Sequence, residues 1–171
     1  MAAVGTGGEG SYLRGWHHQI GQAQSGKQHL AEGAGVEHPT AVIQALERRQ
    51  GLAQAQSSLG LELVELVYLR ISQINGCAFC LGKHAQSLRE QGVAQAKLDR
   101  LAGWRISELF DARERAALEW AETLTYVSEK GAPDAVYEPL KAHFNDAEIS
   151  DLTLVVALMN AFNRLAVGMK L

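Results

Sequence analysis

The amino-acid sequence predicts an all-α protein, and three observations support this prediction. Apolar residues recur at helical spacing in most of the chain after residue 38, which is typical of helices with one buried face. Asp111 stands directly before one of these segments and Asp146 begins another, and aspartate is common where helices begin. No part of the chain is rich in strand patterns, and no segment is repeated. We therefore expect a helical bundle.

Seven helical segments are predicted, and the second is the most apolar. Residues 61–71 carry apolar side chains on nearly every helical face, so this helix should be central in the fold or buried at a subunit interface. Asp111 is expected to cap a later helix, with Glu114 completing a capping box. In chain order the segments are 41–52, 61–74, 77–91, 93–102, 112–126, one opened by Pro133 and one from Asp146.

The composition indicates one globular domain with an unusual N-terminal segment. The chain has 171 residues, of which 47% are hydrophobic and 20% charged, and this is enough to bury one core. Residues 1–37 hold more than half of the 17 glycines and few large apolar side chains. We predict that they form a flexible extension, or alternatively an arm that wraps a neighbouring subunit. Residues 38–171 are predicted to form the helical domain.

The charge and the hydropathy pattern exclude two classes of partner. A net charge of -3 gives no reason to expect binding to nucleic acid or to an anionic membrane surface. No stretch reaches about 18 consecutive apolar residues, and the N-terminus lacks a signal-peptide core, so a cytoplasmic location is expected. Asn160, Asn163 and Arg164 interrupt the last apolar run, and we expect them to bond neighbouring helices.

The chemistry is expected at Cys77 and Cys80, the only two cysteines, which are spaced C-x-x-C and followed by His84. Asn75 and Gly76 form a plausible turn before them, so both cysteines should lie in the first turn of a helix. The unpaired N–H groups and the dipole of a helix start favour a thiolate. This motif predicts a redox-active dithiol.

Helical geometry indicates which sulfur the histidine serves. At about 100° per residue, Cys77, Cys80 and His84 fall within about 60° of one another around the axis. His84 lies about 6 Å along the axis from Cys80 but roughly 10 Å from Cys77, given the rise per residue of a helix. We therefore predict that Cys80 attacks and that Cys77 resolves, although the position in the first turn alone would favour Cys77.

Glu65 is the expected partner of His84. It lies in a mostly apolar run, where an unpaired charge would be costly. If the two helices fold back antiparallel, both residues stand about ten positions from the turn and therefore level with each other. A carboxylate that faces an imidazole fixes its tautomer and raises its basicity.

Other interpretations of the motif compete with the dithiol hypothesis. Zinc could be bound by Cys77, Cys80, His84 and Glu65, although structural zinc sites usually draw ligands from two separate knuckles. Attachment of a c-type haem requires a histidine directly after the second cysteine, where this chain has Leu81. A thioredoxin-like fold would need a βαβ setting that the chain lacks. The two thiols could also be small buried apolar residues.

The motif resembles one known family. Glu65-x11-Cys77-x2-Cys80-x3-His84, set in the stretch ELVYLRISQINGC, is similar to the alkyl hydroperoxidase D-like (AhpD-like) branch of the carboxymuconolactone decarboxylase superfamily. The resemblance covers roughly residues 38–171 and continues through residues 101–105, 110–118 and 160–166.

This resemblance implies an AhpD-like all-helical bundle that assembles as a homo-oligomer, with a dimer, trimer or hexamer as the alternatives. It implies that the pair reduces hydroperoxides, with Cys80 attacking, Cys77 resolving, and His84 and Glu65 relaying the proton. A dithiol protein, which in the family can bear a dihydrolipoyl group, would be the reductant. No cofactor or metal ion is expected.

The chain departs from the family pattern between the cysteines. The best-known members carry an additional histidine there, whereas this chain has Ala78 and Phe79. The core dithiol chemistry is expected to survive this difference. The alternatives are a general thiol-disulfide oxidoreductase and a redox sensor without efficient turnover. Decarboxylation of a muconolactone is not expected, because that branch does not rely on the cysteine pair.

Overall fold

The computed structural model describes residues 58–170 of the chain. The predicted N-terminal extension, residues 1–37, and the predicted helix 41–52 lie outside the described residues. Within residues 58–170 the chain is helical and forms no strand. The predicted all-α fold is confirmed.

Seven α-helices and one 3-10 turn follow one another in the described part of the chain. They are α1 (Leu61–Asn75), α2 (Ala78–Glu90), α3 (Gln95–Asp99), the 3-10 turn (Leu101–Gly103), α4 (Ala112–Thr125), α5 (Val127–Lys130), α6 (Asp134–Leu140) and α7 (Asp146–Gly168). Most of these bounds agree with the sequence prediction within one or two residues.

Helix α1 is the centre of the bundle in residues 58–170. Every residue from Leu63 to Leu69 is buried, which agrees with the apolar character of this segment on all faces. The helix packs against α2, α4 and α7. Because α1 has neighbours on several sides, a polar side chain in its middle can be enclosed completely.

The predicted start of α4 is confirmed in atomic detail. The Asp111 carboxylate accepts a hydrogen bond from the backbone N–H of Glu114 at 2.8 Å, and the Glu114 carboxylate accepts one from the backbone N–H of Asp111 at 3.0 Å. Asn145 and Glu148 form the same reciprocal arrangement at the start of α7. These capping boxes satisfy backbone donors that a helix start leaves unpaired.

The prediction of one helix over residues 93–102 was wrong. Helix α3 ends at Asp99, and a 3-10 turn follows it. The buried residues of this stretch, Leu98, Leu101 and Trp104, are spaced by three and enter the same apolar cluster. A 3-10 turn has three residues per turn, so it aligns side chains three residues apart.

Helix α7 is long and apolar enough to cross a membrane by length and composition alone, with a mean hydropathy of 1.2. The core helix of a globular protein passes the same test. Here α7 packs against α1 and α4, and its buried Asn160 and Asn163 hydrogen-bond other helices. We therefore assign it to the core.

A buried carboxylate joins α1, α4 and the segment between α3 and α4. Glu122 of α4 is 4% exposed and accepts hydrogen bonds from Arg70 Nε at 2.6 Å, Trp104 Nε1 at 2.8 Å and Arg105 Nη1 at 2.5 Å. The Arg105 guanidinium also lies 4.3 Å from the centre of the Trp104 ring. Charge-assisted hydrogen bonds of this kind are stronger than neutral ones.

We expect Glu122→Gln to lower the free energy of unfolding by about 1–3 kcal/mol at neutral pH. Burial alone would raise the pKa of Glu122, but hydrogen bonds from Trp104, Arg105 and Arg70 outweigh it and hold this pKa below its ordinary value of 4.5. The stabilisation is therefore fully present above the ordinary value and is lost as the pH falls through the folded-state pKa. Urea unfolding of both proteins between about pH 7 and pH 3 measures the difference, which should shrink on acidification.

The exposed Glu108 provides the matched control. Glu108→Gln should change the free energy of unfolding by less than about 0.5 kcal/mol at any of these pH values. If the free energy of unfolding of Glu122→Gln stayed below that of the wild type by the same amount at every pH, the assigned role of the carboxylate charge would be contradicted.

Candidate active site

The turn between α1 and α2 places the two cysteines. Gly76 ends α1 with φ 65° and ψ 31°, a left-handed conformation that favours glycine. The backbone N–H groups of Gly76 and Cys77 both donate to the carbonyl of Ser72. This closes α1, and the chain then reverses so that α2 packs back along it. The predicted turn is confirmed.

Asparagine side chains hold this turn against α7. Asn75 Nδ2 donates to Asn160 Oδ1 at 3.1 Å and to Asn163 Oδ1 at 3.0 Å, and Asn163 Nδ2 donates to Ser72 Oγ at 3.2 Å. The expectation that Asn160 and Asn163 bond neighbouring helices is confirmed. Arg164 instead donates to the carbonyl of Asn160 in its own helix at 2.8 Å. The end of α1 that leads into the cysteines is therefore held against α7.

Cys77 and Cys80 form a disulfide at the start of α2, with their Cα atoms 5.3 Å apart. Sequence analysis placed both residues inside the first helical turn, but Cys77 is the N-cap residue and α2 begins at Ala78. The Cys77 sulfur accepts a hydrogen bond from the backbone N–H of Cys80 at 3.3 Å. The Cys77 sulfur is thus the N-cap acceptor, for which most helices use a serine, threonine, aspartate or asparagine oxygen.

His84 and Glu65 meet in the interior, as the antiparallel register of α1 and α2 predicted. The distance between His84 Nδ1 and Glu65 Oε2 is 2.8 Å, and the two residues are 1% and 0% exposed. His84 follows Cys80 by one helical turn on α2. Its Nε2 atom is buried and makes no hydrogen bond within residues 58–170. The Glu65 bond thus leaves Nε2 as the nitrogen that can take up a proton.

The two sulfurs and the His84–Glu65 pair are all buried. Cys77 and Cys80 are each 1% exposed, and α2, which begins between them, packs against α1. Burial disfavours a charged thiolate, so the proton acceptor and the helix-start N–H groups must provide its stabilisation. Chemically, the arrangement combines a two-electron dithiol–disulfide couple with a base that a carboxylate orients.

Sequence analysis missed one aromatic neighbour of this pair. Tyr68 is fully buried, and its ring centre lies 5.1 Å from that of His84 with the planes tilted by 57°. The sequence feature that could have revealed this contact is the position of Tyr68 three residues after Glu65, because that spacing places both side chains on one helical face. Within residues 58–170, no group of three or more His, Cys, Asp or Glu side chains is placed to hold a metal ion.

Comparison with known proteins gives a consistent result. Residues 41–123 match the model of the carboxymuconolactone decarboxylase family. Over 114 residues the chain is 33% identical to YdfG of Bacillus subtilis, an uncharacterized protein, and this alignment covers 67% of the chain and 78% of YdfG.

Two solved structures share the fold. One is a protein of unknown function from Agrobacterium tumefaciens, described as a candidate AhpD antioxidant defence protein. It is 34% identical, with 79% of this chain and 94% of that chain covered and a TM-score of 0.74. The other is an uncharacterized peroxidase-related protein from Silicibacter sp. TM1040. It is 27% identical, with 75% and 68% covered and a TM-score of 0.68.

The chain belongs to the carboxymuconolactone decarboxylase family. Its helical bundle is shared with the Agrobacterium tumefaciens protein, and its C-x-x-C pair lies at the start of α2. Within the superfamily it lies in the AhpD-like branch, which confirms the resemblance seen in the sequence.

Proposed function

We propose that the protein is a thiol-dependent peroxidase that reduces hydroperoxides and cycles through the Cys77–Cys80 disulfide. The observation that supports this most is the position of His84, which follows Cys80 of the disulfide by one helical turn and has its Nδ1 2.8 Å from Glu65 Oε2. A buried carboxylate that orients an imidazole beside a thiol is the usual arrangement for activating a nucleophile. The likeness to the candidate antioxidant protein of Agrobacterium tumefaciens agrees with this proposal.

Catalysis begins with the reduced pair. The Nε2 atom of His84 takes the proton of the Cys80 thiol, while Glu65 holds Nδ1–H and stabilises the imidazolium that forms. Cys80 is the nucleophile because it lies one turn from His84 on the same helix, whereas Cys77 lies at the helix start. Nδ1 and Nε2 thus have separate tasks, one of orientation and one of proton transfer.

The oxidation then proceeds in two steps. The Cys80 thiolate attacks the distal oxygen of ROOH, the O–O bond breaks, and the leaving alkoxide takes the proton from His84 as ROH. The Cys80 sulfur is now a sulfenic acid. The Cys77 sulfur attacks it, the S–O bond breaks and water leaves, which gives the disulfide seen in the structure. The peroxide is reduced by two electrons, and the two thiols are oxidised by the same number.

An external dithiol completes the cycle by exchange. Its thiolate attacks one sulfur of the disulfide, and the other sulfur leaves as a thiolate. The sulfur whose thiolate is better stabilised leaves more easily. The Cys77 sulfur already accepts the backbone N–H of Cys80 at the start of α2, so it is the better leaving group. The reductant therefore attacks Cys80 and forms a mixed disulfide there. Its second thiol then attacks the mixed disulfide and releases Cys80, and the two protons lost by the external dithiol restore the thiols of Cys77 and Cys80.

The first mixed disulfide is expected to form predominantly on Cys80. The oxidised protein is treated briefly with excess monothiol, quenched with N-ethylmaleimide at mildly acidic pH, digested with trypsin and analysed by mass spectrometry. Both cysteines fall in the peptide between Arg70 and Lys83, and fragmentation at Phe79 separates them. Maleimide should be found on Cys77. A mixed disulfide on Cys77 with maleimide on Cys80 would contradict this order of reduction.

The test of the proposed function is rapid mixing of the reduced protein with hydrogen peroxide and with two organic hydroperoxides. We expect one disulfide per molecule in the first turnover, and continued peroxide consumption when dihydrolipoamide or a thioredoxin-type dithiol is supplied. Oxidation that stops after one equivalent, with no re-reduction by either dithiol, would reject the peroxidase. That outcome would instead favour a redox sensor.

A further inference from the structure

Two side chains of α1 contact the imidazole of His84. Glu65 binds its Nδ1 at 2.8 Å, and the Tyr68 ring lies beside it with centres 5.1 Å apart. Glu65 and Tyr68 are three residues apart, so a single turn of α1 directs both towards the same residue of α2. All three side chains are enclosed by the bundle.

We propose that Tyr68 is a positioning residue for the reaction, which fixes the plane of the His84 imidazole and stabilises its protonated form. The inference rests on the proposed function in one respect, namely that the proton taken by His84 is that of Cys80. Tyr68 acts through His84, whose ring it contacts.

The first reason is geometric. The torsion that rotates a histidine ring about its bond to Cβ has a broad, roughly two-fold energy profile. One hydrogen bond at Nδ1 anchors an atom of the ring but leaves the plane able to tilt about that anchor. The Tyr68 ring, tilted by 57° relative to the imidazole, is the second contact that limits this motion. It thereby determines where Nε2 points.

The second reason is electrostatic. A cation within about 6 Å of an aromatic ring centre is attracted by the negative face of the ring, and more strongly in a desolvated site. The Tyr68 ring meets this distance and is fully buried. An aliphatic side chain of similar size would fill the same space without compensating the imidazolium. The aromatic ring thus favours the state of His84 that follows proton transfer.

The experiment measures thiol reactivity without peroxide or reductant. In a Cys77→Ser background, Tyr68→Leu should slow alkylation of Cys80 by iodoacetamide about tenfold, whereas Tyr68→Phe, which keeps the ring, should stay within about twofold. The nitrogen-15 resonances of His84 report the tautomer directly. They should move towards a mixture of tautomers in Tyr68→Leu and remain in place in Tyr68→Phe. If Tyr68→Leu does not fold, Tyr68→Met replaces it.

Leu69→Ala is the matched control, because Leu69 is the next residue of α1 and is buried in an apolar cluster with Leu88 and Leu101. It should lower the unfolding midpoint and leave alkylation within about twofold of the parent. Unchanged alkylation in folded Tyr68→Leu or Tyr68→Met would overturn the proposal. So would equal slowing in Leu69→Ala, or in Tyr68→Phe, which would assign the effect to the hydroxyl group.

Failure of the proposed function would look different. If alkylation and the His84 resonances follow the expected pattern but the wild-type protein consumes no peroxide, then the peroxidase assignment is wrong. The positioning role of Tyr68 would stand in that case.

Discussion

Replacing Cys80 by serine should abolish peroxide turnover, with kcat/KM falling by at least about a thousandfold. A serine hydroxyl is not ionised at neutral pH and is a poor nucleophile towards an O–O bond, and it cannot join Cys77 in a disulfide. The substitution is close to isosteric at a residue that is 1% exposed, so the fold should be retained. Stopped-flow consumption of hydroperoxide by the reduced protein gives the rate constants.

Cys77→Ser separates the two sulfurs. This variant keeps Cys80 beside His84, and a serine oxygen can still cap α2, so the first oxidation should proceed at nearly the wild-type rate. It should stop at a Cys80 sulfenic acid, which one equivalent of dimedone captures. If Cys80→Ser instead retains the fast first oxidation and Cys77→Ser loses it, then the assignment of attacking and resolving sulfurs is reversed.

Glu65→Gln should slow the first oxidation about a hundredfold, the size typical of losing a proton-transfer group. An amide can still hydrogen-bond His84 Nδ1, but it carries no charge to balance the imidazolium, so the proton of Cys80 is accepted less readily. Rapid mixing with peroxide of the Cys77→Ser variant and of the Cys77→Ser, Glu65→Gln double variant measures this step alone, because neither protein can form the disulfide. Circular dichroism and urea unfolding check that the bundle remains folded.

Glu62→Gln is the control for this prediction. Glu62 lies one turn earlier on α1 and is exposed, and its Oε1 is 3.6 Å from Lys97 Nζ. Its substitution should leave the oxidation rate within about twofold of the parent, because surface ion pairs contribute little. A rate for Glu65→Gln that matches Glu62→Gln would show that the buried carboxylate has no part in proton transfer.

Local chemistry in the sequence was sufficient for the elements around the reactive pair. The turn at Gly76 follows from its short-range signal, and the meeting of Glu65 with His84 follows from counting outward from that turn on two antiparallel helices. The start of α4 follows from Asp111 and Glu114, which are only three residues apart. Each of these features depends on residues close in sequence or on one simple register.

Features that depend on several distant segments could not be predicted in this way. Glu122 binds Arg70, which is 52 residues away, together with Trp104 and Arg105 from a connecting segment, and no local pattern groups them. The contact between Tyr68 and His84 requires the exact rotation of α1 against α2. Sequence spacing constrains that rotation only to within a fraction of a turn.

Helix α1 carries the structural core and the reactive machinery on the same few residues. Leu66 and Leu69 belong to the apolar cluster, and Glu65 and Tyr68 of the same helix both contact the His84 imidazole. Directed evolution for heat tolerance should therefore find almost no acceptable changes in this helix. Improved variants should instead accumulate at sites far from any buried contact, such as Ile106, which is 92% exposed.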